Sequence, residues 1–172
     1  MKLEGKRILL TGASGGIGEA LAHELAAQGA HLLLHGRRAS ALERLRRELP
    51  HPDRHQTVTA DLGSPHERAQ LLQHPALDEG LDVLINSAGC NQFAWLEDQS
   101  SEQVTRQLLL NVEAPIQLTR ALLPRLRKPA IIMNIGDYVS TFPSGESTQS
   151  GLAIDDPVPS ATTTTGARPA WS

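Results

Sequence analysis

Cysteine and aromatic residues are scarce in this chain. Cys90 is the single thiol among 172 residues, so no disulfide can form within the chain, as suits a reducing compartment. Tyr138 is the one tyrosine, and no lysine follows Lys128. No helix can therefore present a tyrosine with a lysine one turn later, the pairing that brings a phenol's pKa towards neutrality. Trp95 and Trp171 form no stacking platform for single-stranded nucleic acid. Acidic residues are in small excess, 19 against 16 basic ones. A formal net charge of −3 and a pI of about 6.1 suggest neither a nucleic-acid nor a membrane surface. No apolar run approaches the ~18 residues of a membrane span, and Met1 to Arg7 carries no secretory apolar region. Metal binding is not expected either. His51 and His55 are separated by Pro52, His31 and His35 only share a strand face, and no Cys/His/Asp cluster has ligand spacing. The expected location is the cytoplasm.

What the chain does have is a regular alternation of two periods. Ile8-Leu9-Leu10 is a short continuous apolar run, as in a strand buried on both faces of a parallel sheet. A helix is expected from Gly16 to about Gln28, with Ile17, Ala20, Leu21 and Leu25 on its apolar face and Gly29 as its stop. Leu32 to Leu34 reads as a second strand. Leu42, Leu45 and Leu49 mark a helix ended by Pro50, and Gln56 to Thr59 reads as a third strand. Ser64-Pro65-His66-Glu67 is a capping box with proline at the first helical position. A fourth strand spans Leu81 to Ile85. Ser100 and Gln103 open a long helical pattern through Val104, Leu108 and Val112 to Leu126, with a kink at Pro115. Ile131 to Ile135 is a fifth strand. Five alternations predict an α/β fold, a Rossmann-type doubly wound parallel sheet of about five strands.

The alternation stops near Gly136. Residues 137–172 hold 6 Ser, 6 Thr, 4 Pro and 3 Gly, with few apolar groups to offset ordering entropy. The expected organisation is a dinucleotide-binding domain over 1–136 and a disordered tail over 137–172. Ser140, Ser144, Ser147 and Ser150 have no partner base there.

Thr11 to Gly18 reads TGASGGIG between a buried strand and an amphipathic helix. Gly12 permits the tight turn, Gly16 lets the backbone approach a diphosphate, and Gly18 lets the helix pack close to the sheet. The helix start offers unpaired N–H groups and partial positive charge to phosphates. At the end of the second strand, where an acidic residue would hold the 2′-hydroxyl of NAD, stand Arg37 and Arg38. Two guanidinium groups suit the 2′-phosphate of NADP, and a helix start disfavours cations that have no local purpose. NADP(H) is therefore the expected cofactor in preference to NAD(H). Asp61-Leu62 and Asn86-Ser87-Ala88-Gly89 follow the third and fourth strands, beyond whose carboxyl ends ligands sit in this architecture. Asp61 can accept from an adenine amino group. Asn86 can tie adjacent strands, and the small residues after it leave room for a ribose.

In order and spacing, the glycine turn, Asp61-Leu62, the Asn-x-Ala-Gly motif of Asn86 to Gly89, Asn111 in NVEAP and Ile131 to Ile135 resemble a classical short-chain dehydrogenase/reductase over about residues 3–136. The chain looks like a C-terminally truncated or frame-altered member. The resemblance implies hydride transfer between NAD(P)H and a small carbonyl or alcohol, and pairing of copies through the long helix. It implies that Gly12, Ser14, Gly15, Ile17, Arg37, Asp61, Leu62, Asn86, Ala88 and Gly89 contact the cofactor. Asn111 matches an asparagine that holds a water in a proton relay. Against the family pattern, Asp137 stands where a carbonyl-orienting serine belongs, and a carboxylate there would repel a developing oxyanion. Tyr138 comes too early, with Phe142 rather than lysine four residues on. Two expectations follow from these residues. One, implied by the resemblance, is an NADP-linked oxidoreductase; the other, which the missing serine, tyrosine and lysine favour, is a dinucleotide-binding remnant, inactive or nearly so. Ile131, Ile132, Met133 and Ile135 are expected on an exposed apolar edge.

Overall fold

A computed structural model describes residues 2–90 and 98–136. The expected tail over 137–172, and with it Asp137, Tyr138 and the four serines, lies outside the described residues, as do Trp95 and Trp171. Five strands form one parallel sheet: β1 (Arg7–Leu10), β2 (His31–Gly36), β3 (Gln56–Thr59), β4 (Leu81–Asn86) and β5 (Leu126–Asn134). Their spatial order is β3-β2-β1-β4-β5. Strand order therefore reverses between β1 and β4, and the carboxyl ends of these two strands frame the crevice of a doubly wound sheet.

The helices between the strands are α1 (Gly16–Ala27), α2 (Ala39–Glu48), α3 (Pro65–Leu72), α4 (Ser101–Leu108) and α5 (Ala114–Leu122). Single 3₁₀ turns cover Pro52–Arg54, Pro75–Leu77 and Leu123–Arg125. Period-2 alternation sends Ile8 and Leu10 to one face of the sheet and Leu9 to the other. On the first face they meet Leu32, Leu34, Val83 and Ile85, covered by Ala22 and Ala26 of α1 and by Leu42 and Leu45 of α2. On the second, Leu9, Leu33 and Leu84 meet Leu71, Leu77, Leu110, Leu118 and Leu122. Each fully buried leucine contributes about 1.5–3 kcal/mol of transfer free energy. The opposite end of the sheet is tied by Asp82, which is buried. It accepts from the Arg7 backbone N–H at 2.9 Å and from Lys6 Nζ at 3.1 Å.

Four expectations are corrected. The buried stripe of α1 is Gly18, Ala22 and Ala26, while Ile17 and Ala20 are exposed; Leu21 and Leu25 only border the core. Small residues face inward because α1 lies close against the sheet. The capping box at Ser64 is half made. Ser64 accepts from the Glu67 N–H, but the Glu67 carboxylate accepts from the Asp61 N–H at 2.7 Å. The long helix is interrupted by a π-turn over Leu109–Glu113 just before Pro115. Proline has no N–H for the α-helical ladder, and a wider turn before it accommodates the missing bond. Finally, α5 ends at Leu122 rather than Leu126, and β5 spans Leu126–Asn134 rather than Ile131 to Ile135.

At the box opened by Ser100 both reciprocal hydrogen bonds with Gln103 are present. The fifth strand lies at the sheet edge with Ile131, Ile132 and Met133 all exposed, whereas Ile135, expected with them, follows the strand and packs partly buried against the first core layer. An exposed apolar edge templates association. Ile132→Lys is expected to change unfolding free energy by less than ~0.5 kcal/mol. It should raise the concentration at which light scattering detects aggregates; an unchanged threshold would show that this edge does not drive association.

Candidate functional site

The carboxyl ends of the strands carry a continuous set of turns. At the end of β1, Gly12 has φ +69°, and a Cβ there would lie 2.8 Å from the backbone of Ala88 and Ser87. Only glycine fits a left-handed turn pressed against a neighbouring loop. A Cβ on Gly18 would lie 2.2 Å from the Gly12 carbonyl oxygen, so the missing side chain sets how closely α1 meets the turn. At Gly16 a Cβ would meet nothing within 4 Å. Gly15 is the N-cap of α1 and contributes no side-chain hydrogen bond to the helix start. The mouth of α1 is thus uncapped, open and lined by backbone, the arrangement that receives an anion. Exposed Ile17 adds an apolar surface beside it.

Thr11 joins the two strands that frame the crevice. Its hydroxyl donates to the Ile85 carbonyl at 3.3 Å and accepts from the N–H groups of Ser87 and Ala88 at 3.0 Å each. Buried Asn86 donates to Asn134 Oδ1 at 2.9 Å and Thr119 Oγ1 at 3.1 Å, linking β4 to β5 and α5. The expected strand tie is therefore formed. Asn111 lies in the π-turn and clasps Cys90, accepting from its N–H at 2.9 Å and donating to its carbonyl at 2.8 Å. The clasp passes over Gly89, where a Cβ would sit 2.9 Å from Asn111 Oδ1.

At the end of β2, Arg37 and Arg38 are both exposed. Arg38 is the N-cap of α2 and reaches the Ser14 carbonyl at 3.5 Å, so the second-strand end and the glycine turn adjoin. Ser14 Oγ lies 2.9 Å from where a Cβ on Gly36 would be. Asp61, after β3, is paired with Arg106 of α4 at 2.6 Å. Burial opposes ionisation of Asp61. The Arg106 and Gly63 hydrogen bonds and the charges of Arg106 and Arg37 outweigh it, and its pKa lies below the ordinary value. Leu62 beside it is buried in the second core layer.

The glycine turn, both arginines, Asp61 and Asn86 to Gly89 thus follow the carboxyl ends of β1, β2, β3 and β4, the rim of the sheet, whereas the Leu62 side chain turns into the core. Arg106 had no sequence signal, because its partner is 45 residues away and a lone arginine on an amphipathic helix reads as a solvated face. The profile of the short chain dehydrogenases matches residues 6–147. The chain belongs to this family.

The chain is 41% identical over 141 residues to nodulation protein G of Rhizobium sp. (strain N33), covering 80% of this chain and 57% of the relative. It is 40% identical over 131 residues to 11-beta-hydroxysteroid dehydrogenase 1A of Arabidopsis thaliana, covering 73% of this chain and 37% of that protein. Among solved structures, landomycin C-6 ketoreductase with bound NADP and rabelomycin superposes with a TM-score of 0.72 at 31% identity. That match covers 77% of this chain and 58% of the other. The chain spans about half the length of the curated relatives it matches, 57% of the first and 37% of the second.

Two further groups have structural explanations. The carboxylates of Glu19 and Glu48 and the imidazole of His23 place ligand atoms within 4.8 Å of one another. Arg44 bridges the two carboxylates at 3.3 and 3.0 Å, which accounts for their approach without a metal. His35 is buried at the end of β2, with Nε2 3.0 Å from the Ala60 carbonyl. Burial pushes its pKa from 6.5 down to about 4, against the Ala60 hydrogen bond and the Asp61 charge. Above pH 6.5 the imidazole is neutral folded or unfolded, and its full contribution to stability is present. As pH falls from 6.5 to about 4, the unfolded chain takes up a proton that the fold refuses. The expected loss is about 3 kcal/mol over that window. The urea midpoint should fall correspondingly, and His35→Gln should flatten the decline. An identical pH profile in the variant would assign the decline to other groups.

Among the described residues, no helix is long and apolar enough to cross a membrane.

Proposed function

We propose that the chain binds NADP(H) along this rim and that its reaction is hydride transfer between the cofactor and a small carbonyl or alcohol. The observation that carries the reading is the uncapped mouth of α1, where the space in front of Gly16 is open and the approach of Gly18 to Gly12 holds the helix start against the crevice. Backbone N–H groups from Gly16 to Gly18 would hold the diphosphate there, with Gly12, Ser14 and Gly15, whose N–H donates to the Gly12 carbonyl at 3.0 Å, shaping the turn. Arg37 and Arg38 would hold the 2′-phosphate by charge-assisted hydrogen bonds. Asp61 would meet the adenine, with only the backbone of Leu62 beside it because the Leu62 side chain is buried in the core, while Ala88 and Gly89 leave room for a ribose beside Asn86. The cofactor supplies the hydride. Asn111 is assigned the proton-relay position that the family resemblance implies, with Cys90 fixing its amide.

We assign the dinucleotide unit to residues 1–136, and 137–172 to a separate Ser/Thr/Pro-rich tail. Exposed Leu108, Val112 and Ile116 support pairing of two copies through α4 and α5. A lone thiol supports a cytoplasmic location. Titration with NADPH and NADH followed by a panel of carbonyl substrates tests the proposal. Tighter binding of NADPH and its oxidation by a carbonyl are expected. Binding without turnover would favour the remnant, since no lysine follows Lys128 in the sequence. Absence of binding would reject the cofactor assignment.

A further inference from the structure

We infer that Arg106 is a positioning residue that makes the site selective for a 6-amino purine, acting through Asp61; this rests on the NADP(H) reading above. Asp61 Oδ1 accepts from the Gly63 N–H at 2.9 Å and from Arg106 Nη2 at 2.8 Å, while Oδ2 accepts from the same Nη2 at 2.6 Å. An ionised carboxylate has about four acceptor positions. Three contacts fill both positions on Oδ1 and one on Oδ2. A single acceptor position remains, on Oδ2, and the side chain of Asp61 is still 32% exposed, so a ligand can reach it. Arg106 therefore does not block the carboxylate. It fixes the plane of the group and leaves one directed acceptor.

The turn is built to admit the guanidinium. A Cβ on Gly63 would lie 2.0 Å from Arg106 Nη1, so the arginine crosses the turn through space that only glycine leaves. The turn itself is held by the Glu67 carboxylate on the Asp61 N–H and by Asp61 O accepting from the Ser64 N–H at 2.9 Å. Arg106 thus bears on an already ordered loop. A fixed anionic acceptor favours an exocyclic amino group and meets repulsion from a carbonyl oxygen at the same place. A site that must hydrogen-bond a ligand group discriminates strongly against a ligand lacking it.

The test measures equilibrium binding of NADPH, of its 6-oxo (hypoxanthine) analogue and of reduced nicotinamide mononucleotide, by nicotinamide fluorescence. The wild-type chain should bind NADPH about tenfold or more tightly than the 6-oxo analogue. Arg106→Ala should bring that ratio close to one and leave the mononucleotide, which has no adenine, unaffected. Arg106→Lys should restore part of the ratio. Gly63→Ala, which displaces the guanidinium while keeping its charge, should lower the ratio as well; it serves if Arg106→Ala fails to fold. An unchanged ratio in the folded variants overturns the inference while the cofactor reading stands. Failure of the wild-type chain to bind NADPH overturns the cofactor reading, and this inference with it.

Discussion

Gly18→Ala is expected to lower unfolding free energy by about 2 kcal/mol and to weaken NADPH binding together with it. The added methyl would meet the Gly12 carbonyl oxygen at 2.2 Å, the Gly12 carbonyl carbon at 2.8 Å and Ala13 Cα at 2.9 Å. All three are backbone atoms, so no rotamer change relieves the contact. The helix must move away from the turn, and its N–H groups move with it. Gly16→Ala is the matched control. A methyl there meets open space, and alanine in a helix's first turn is neutral or stabilising by up to ~1 kcal/mol. It would nevertheless stand in the space assigned to the diphosphate. The control should keep or raise the urea midpoint and still weaken NADPH binding roughly tenfold or more. Undiminished binding in Gly16→Ala would remove the mouth of α1 as the phosphate site.

Arg37→Asp is expected to reverse the preference for NADPH over NADH. The change removes a charge-assisted donor, worth about 1.5–3 kcal/mol, and places a carboxylate where a doubly charged phosphate would sit. The two effects act in the same direction. The ratio of dissociation constants should shift by about 100-fold or more. The same carboxylate could accept from the 2′-hydroxyl of NADH. Arg37 is exposed on the rim, and its charge also favours ionisation of Asp61, so the variant should raise the Asp61 pKa slightly. Fluorescence titration with both reduced cofactors reads the ratio directly. An unchanged ratio would show that the pair at 37 and 38 does not face the 2′-position.

The legible part of the site is the part built from neighbours in the chain. Gly12, Gly16 and Gly18 act on a turn and a helix start eight residues long, and their spacing states their geometry. Arg37, Arg38 and Asp61 were legible by position, because a strand's end is visible in the apolar run before it. The neighbours of Asp61 were not. Glu67 looked like the second half of a capping box, and only the folded loop turns its carboxylate to the Asp61 N–H instead. His35 read as one of two histidines on a strand face, yet burial makes it a neutral tie to Ala60.

By itself the sequence determined the alternation of buried strands and amphipathic helices, the caps at Ser64 and Ser100 in outline, and the glycine cradle. All of these are set by backbone freedom and by periods of two and 3.6 residues, which a local stretch expresses fully. Only the tertiary structure decided that Thr11 meets Ser87 and Ala88 across 76 and 77 residues, that Asn86 meets Thr119 and Asn134 across 33 and 48, and that Arg106 meets Asp61 across 45. Such pairs depend on where parallel crossovers deliver distant side chains, and a polar residue carries no local mark of the partner it will find.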